Sequence, residues 1–315
     1  KGVMLTISST DSLLPAKLEI AERIVAQFSQ LFAMNRQPAK GCHYYFDLST
    51  GKVPARMMSH LHMTPGLRFF GPGGAASELQ TLVATVQAKG ALPPEIDLGG
   101  TFEPEVVLET LRHLSRYWAP MPPARTEERR ACVSRISVVH DFDEIVSTVS
   151  GESQELLFDT AVEAWTVENE SEGGYGALMP ETGSDWLRVG SLLGIKIEEG
   201  AAWGVGIVRR LSAYDHRQRY VGIQVLTKGA TVVKLAPISA MADPELESAL
   251  LLPSTARNTK GVTEMNLLLK PGAFSLRKSM EMHAYEHRYL LVPHKLIEGG
   301  RDFDMARFRL LQGAP

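Results

Sequence analysis

Four arginines fall within eleven residues, in Arg125-Thr-Glu-Glu-Arg-Arg-Ala-Cys-Val-Ser-Arg135. A guanidinium is planar, always charged and carries its N–H donors in a fixed fork, so it can hold a phosphate bidentately or stack on a base. Farther along, Trp165-Thr-Val-Glu-Asn-Glu-Ser-Glu-Gly-Gly-Tyr-Gly176 places Asn169 and Ser171 ahead of Gly173, Gly174 and Gly176. Short polar side chains of this kind offer both donors and acceptors, and glycines admit a positive φ or the close approach of another group. Each segment also has an ordinary reading. The arginines could pair with Glu127 and Glu128 in a solvated linker, and the glycines could simply form a hairpin turn.

The remaining polar sets carry less chemistry. Gly71-Pro-Gly-Gly74 is not followed by the Lys-Ser/Thr of a phosphate-binding loop, and no Gly-x-Ser-x-Gly elbow is present. His283-x-x-x-His287 has helical ligand spacing but lacks the Glu that a zinc-protease motif needs, and His60-x-His62 has no evident third ligand. No metal site and no catalytic set is therefore expected, and the chain is read as a binding protein and not an enzyme. Arg209 and Arg210, adjacent on an expected strand, should point to opposite faces. Met57, Met58 and Met63 are read either as core or as a partner surface.

The elements that must position these residues fall into three parts, giving an α+β chain. Residues 1–122 read as a mainly helical domain, with helices over Leu13–Met34, Ser77–Lys89 and Thr101–Trp118 from their three-and-four spacing of apolar residues. Pro120, Pro122 and Pro123 end the last helix and mark a linker. Over residues 123–237 the period changes to short β-like runs at Ile136–Val139, Leu156–Phe158, Ala164–Val167, Leu193–Ile197, Trp203–Val208 and Tyr220–Leu226. Val232–Leu235 can add a last strand, and the spacing suits a small antiparallel barrel. Residues 238–315 read as a β-rich extension with strands at Met265–Leu269 and Tyr289–Val292, and either a strand or a short helix over Phe303–Leu311. That part could extend the barrel, form its own module or mediate self-association.

Composition narrows the function classes. Apolar residues make up 44% of 315, enough to bury a core, which excludes wholesale disorder. The net charge of −3 excludes broad nucleic-acid binding while leaving room for a local basic patch. Two cysteines cannot build a disulfide framework, no apolar run can span a membrane, and Lys1–Leu5 does not lead into a signal-peptide core. A cytoplasmic protein is expected.

An arginine-rich arm entering a β-barrel, followed by Asn169-x-Ser171-x-x-Gly174, resembles the PilZ domain family, whose members bind cyclic di-GMP through Arg-x-x-x-Arg and Asp/Asn-x-Ser-x-x-Gly. Val189-Gly190, Val205–Arg210 and Val221–Val225 are similar to the family's later strands, so the resemblance covers about residues 123–237. Arg125 and Arg129 have the family's spacing, whereas Arg130 and Arg135 sit directly before the strand but one residue too far apart. Arg129 or Arg130 is therefore placed first, then Arg135, then Arg125. The long interval to Asn169 suggests an insertion around Asp143–Glu155.

The resemblance implies a cyclic di-GMP receptor. Its arginines would take guanine or phosphate, Asn169 and Ser171 would bond base and sugar, and Gly173 and Gly174 would leave room for the rings. It further implies regulation of a protein partner docked on the N- or C-terminal region. A nucleotide-free structural adaptor and an enzyme regulated by the barrel are the alternatives.

Overall fold

The computed structural model describes residues 1–57, 61–123, 129–151, 162–180, 185–197, 202–214, 218–238, 246–253, 263–284 and 287–312. Its helices are α1 (Gly2–Ile7), α2 (Pro15–Gln27), α3 (Ala75–Lys89), α4 (Pro104–Trp118) and α5 (Phe142–Ser150). Its strands are β1 (Ala33–Asn35), β2 (Tyr44–Asp47), β3 (Ala55–Arg56), β4 (Leu67–Gly71), β5 (Arg130–Val139), β6 (Glu163–Ser171), β7 (Gly174–Pro180) and β8 (Leu192–Ile197). They continue with β9 (Gly204–Ala213), β10 (Gln218–Thr227), β11 (Thr231–Pro237), β12 (Glu247–Leu252), β13 (Thr263–Leu269), β14 (Met280–Ala284), β15 (His287–Gly299) and β16 (Asp304–Gln312). The chain divides into two compact units, residues 1–126 and 127–315.

The first unit is less purely helical than its sequence suggests. Pro15 and Pro104 sit in the first turns of α2 and α4, where a missing N–H costs nothing, and Gly90 ends α3 in the left-handed conformation. On α4, Val107, Leu111, Leu114 and Trp118 recur on one stripe and are buried with Ile20, Ile24 and Leu79. The segment expected to continue α2 as far as Met34 instead leaves the helix after Gln27 and joins a four-stranded sheet of order β1-β4-β2-β3. These strands are two to five residues long, too short for a period-two pattern to stand out.

The second unit holds two closed antiparallel barrels. The first runs β10-β7-β6-β5-β8-β9 around a core of Ile136, Trp165, Val167, Ala177, Met179, Val208 and Val221. The strand over Val232–Leu235 does not belong to it. As part of β11, it pairs with β12 and β14 in the second barrel, β11-β12-β13-β16-β15-β14. Phe303–Leu311, left open between strand and helix, lies mostly in strand β16.

The two barrels share a third apolar layer. Val139, Leu192, Val205 and Ile207 on the outside of the first barrel pack with Leu250, Leu268, Phe303 and Met305 on the outside of the second. Helix α5 supplies Phe142, Ile145 and Val146 to the same layer and occupies the start of the expected insertion. The expected strand at Leu156–Phe158 lies outside the described residues. His283 lies on β14 and His287 on its antiparallel partner β15, so they are not on a helix, and no group of metal ligands occurs among the described residues. His60 and Met58 lie outside the described residues.

Candidate functional site

The site is assembled on the outer face of the first barrel by a break in strand alternation. Trp165 and Val167 of β6 point into the core, so regular alternation would send Asn169 inward too. However, Val167 pairs with Ala177 while Asn169 pairs with Gly176, which leaves Glu168 as an extra residue. This β-bulge reverses the parity and brings Asn169 and Ser171 out on the side away from the core. Tyr220 on β10 lies on that side too, because its neighbour Val221 is fully buried inside the barrel.

Arg129 stands half-buried just before β5 and closes the cluster. Its Nη1 donates to Asn169 Oδ1 at 2.8 Å and to Tyr220 Oη at 2.8 Å. Asn169 Nδ2 donates to the same phenol oxygen at 3.1 Å. Three side chains from distant parts of the sequence thus form one hydrogen-bonded ring. Gly176 makes the ring sterically possible: a Cβ there would lie 2.1 Å from Tyr220 Oη and 2.6 Å from Asn169 Oδ1. A row across three strands sets Asn169 beside Gly176 and Gly176 beside Gly222, whose outer side is flanked by the Arg210 stem.

The other residues singled out in the sequence are distributed unevenly. Arg130 and Arg135 lie on β5, are exposed, and have no hydrogen-bond or ion-pair partner among the described residues. Arg130 pairs across the sheet with Glu170 and Arg135 with Thr166. Arg125 lies outside the described residues. Ser171 Oγ donates to the Gly174 carbonyl at 3.4 Å within the β6–β7 hairpin, and the Gly173 carbonyl accepts from the Val225 N–H at 2.9 Å. Gly173, Gly174 and Gly176 all keep ordinary negative-φ backbones, so positive φ is not their reason for being glycine. The space beside Gly174 is taken by β10 itself, since a Cβ would lie 2.1 Å from the Ile223 carbonyl oxygen.

A second bulge corrects the expectation for Arg209 and Arg210. Gly222 pairs with Arg210 but Ile223 pairs with Val208, so Arg209 is the extra residue and both arginines emerge on the outer face. Arg209 reaches Gln224 at 2.8 Å and forks onto Glu298 of β15 at 2.5 and 2.7 Å, tying the first barrel to the second. Inside the first barrel the chemistry is quiet. Burial, and then the Glu170 charge, pushes the Tyr175 phenol and the Cys132 thiol up, so Cys132 is no activated nucleophile. A separate cleft of about 490 Å³ is lined by His140, Trp186, Lys270 and Arg301, and there Lys270 pairs with Asp143 and Arg188 with Asp302.

Tyr220 is the functional candidate that sequence reasoning missed, and Gly176 serves the close approach its residue type allows, to Tyr220 and Asn169. The usable signal was alternation: on a strand where Val221 and Ile223 are core, Tyr220 and Gly222 must face out together.

Fold and cluster together define a closed antiparallel barrel that carries a polar, donor-rich ring on its outer face. Residues 144–231 match the family model described as "Cyclic-di-GMP receptor FimW, middle PilZ domain", which identifies this segment as a PilZ-family domain. The match takes in β6 to β10, including Asn169, Gly176 and Tyr220, and begins after the arginines. It spans 88 of the chain's 315 residues and takes in five of the first barrel's six strands, leaving out β5. No curated protein matches the chain.

Proposed function

We propose that the chain is a cyclic di-GMP receptor whose binding surface is the outer face of the first barrel around Arg129, Asn169, Ser171 and Tyr220. The observation that carries this reading is the Arg129–Asn169 hydrogen bond, which joins the arginine arm to the Asn-x-Ser-x-x-Gly hairpin. Cyclic di-GMP has two phosphate charges and two guanines with acceptors at O6 and N7. An arginine fork matches the guanine edge, and further guanidinium groups suit phosphate or a base face. Arg135, exposed on the outer face of the neighbouring strand opposite Thr166, supplies additional positive charge to a dianion.

The role is binding and signalling, with no bond made or broken. Arg129 follows directly on the segment that joins the two units in sequence, so ligand capture there restrains the junction. A protein partner on the N- or C-terminal region would read that change. Among the described residues no helix is long and apolar enough to cross a membrane.

Calorimetric titration of nucleotide-free protein with cyclic di-GMP tests the reading. Binding that weakens as salt is raised is expected. Absence of heat at about tens of micromolar ligand would remove the receptor assignment.

A further inference from the structure

Hydrogen-bond accounting in the Arg129–Asn169–Tyr220 ring leaves particular donors unused. Tyr220 Oη accepts from Arg129 Nη1 and from Asn169 Nδ2, which fills both of its acceptor sites. Its own O–H proton has no acceptor among the described residues. Arg129 uses only Nη1, once to Asn169 Oδ1 and once to Tyr220 Oη. Its Nε and Nη2 donors, the straight edge of the fork, have no partner among the described residues. The ring therefore clamps the guanidinium by one nitrogen and leaves a bidentate edge that has no partner among the described residues, beside a phenolic donor.

We propose that Tyr220 is a ligand-contacting, specificity-determining residue, which fixes the Arg129 fork and adds its own O–H donor to form a subsite for the N7/O6 edge of a guanine. The inference rests on the receptor reading above and extends it to one base edge. Guanine presents two acceptors on that edge, whereas adenine presents N7 beside an N6 donor. A subsite built only of donors accepts the first and leaves a donor facing a donor with the second. The positions of the three groups follow from the backbone. The Glu168 bulge turns Asn169 outward, alternation turns Tyr220 outward, and Gly176 leaves the space in which the phenol oxygen and the amide meet.

The test uses the full chain and three proteins: wild type, Tyr220→Phe and Arg129→Lys. Each is titrated with cyclic di-GMP and with its analogue in which both guanine N7 atoms are replaced by C–H. Wild type should bind the analogue about tenfold more weakly than cyclic di-GMP. Tyr220→Phe should bind cyclic di-GMP about tenfold more weakly than wild type, and its penalty for the analogue should shrink to about twofold or less. Arg129→Lys keeps the charge but loses the fork, so its analogue penalty should shrink in the same way. A merely structural role for the hydroxyl would weaken both ligands equally and leave the analogue penalty intact.

An unchanged penalty in both variants overturns the subsite while leaving the receptor reading standing. So does a Tyr220→Phe protein that binds cyclic di-GMP as wild type does. A wild type that binds neither ligand removes the receptor reading itself. If Tyr220→Phe fails to fold, as judged by its thermal midpoint, Arg129→Lys decides the question.

Discussion

Arg129 Nη1 lies 2.8 Å from Tyr220 Oη across 91 residues of sequence. The contact docks the arm on the barrel, with Asn169 as its second anchor. Replacing Asn169 removes both an acceptor from Arg129 and a donor to Tyr220. Asn169→Ala should therefore weaken cyclic di-GMP binding at least about tenfold in calorimetry while lowering stability by only about 1 kcal/mol, since the ring is half-exposed.

Gly176 offers a sharper steric test. The Cβ of an alanine would sit 2.1 Å from the Tyr220 oxygen, so the phenol or the amide must move. Gly176→Ala should cost about 1–3 kcal/mol in denaturant unfolding and break the Arg129 contact. Gly90→Ala, at the C-terminus of α3, meets no atom but strains a left-handed φ of +68°, so it should lower stability by about 1 kcal/mol and leave ligand binding unchanged.

The Arg209–Glu298 fork links the two barrels directly. Its side chains are about one-third exposed, so solvent screens the attraction. A double-mutant cycle with Arg209→Met and Glu298→Gln should give a coupling of about 0.5–1 kcal/mol that falls at high salt. The apolar layer beneath contributes more. Phe303, fully buried there, should cost about 3–5 kcal/mol on truncation to alanine, read by the same unfolding assay.

The first unit carries a pH-dependent element. His113 Nε2 lies 2.7 Å from the Ser8 carbonyl, and burial holds its pKa below the ordinary 6.5, with the Arg116 and Lys17 charges adding to the effect and Ser8 and Asp11 opposing it. The unfolded chain then takes up the proton first as pH falls. Stability is complete above about 6.5 and declines as pH drops toward the folded-state value. The His113 imidazole NMR signal should titrate below 6.5. His113→Gln should reduce the loss of stability between about pH 7.5 and 5.5.

Much of this arrangement was written in local patterns, and its decisive turns were not. The stripe on α4 and the alternation at Trp165 and Val167 announce a helix and a strand, because one face of each must be buried. Asn169 and Ser171 stood out by residue type. Neither bulge has a local signature: Glu168 and Arg209 look like any polar strand residue, and only pairing with β7 and β10 shows that each is the extra one. For the same reason Arg129 could not be ranked above Arg130 by spacing alone. The assignment of β11 to the second barrel likewise depends on long-range pairing with β12 and β14. Its apolar pattern suits either barrel equally well.

The most direct measurement takes the arginines one at a time. Arg125→Ala, Arg129→Ala, Arg130→Ala and Arg135→Ala are each titrated with cyclic di-GMP against wild type. Arg129→Ala should lose binding by about a hundredfold, because it removes both the fork and the anchor to Asn169. Arg130→Ala and Arg135→Ala, exposed and outside the ring, should lose about tenfold or less and mainly at low salt. An Arg129→Ala protein that binds cyclic di-GMP as tightly as wild type would contradict the account.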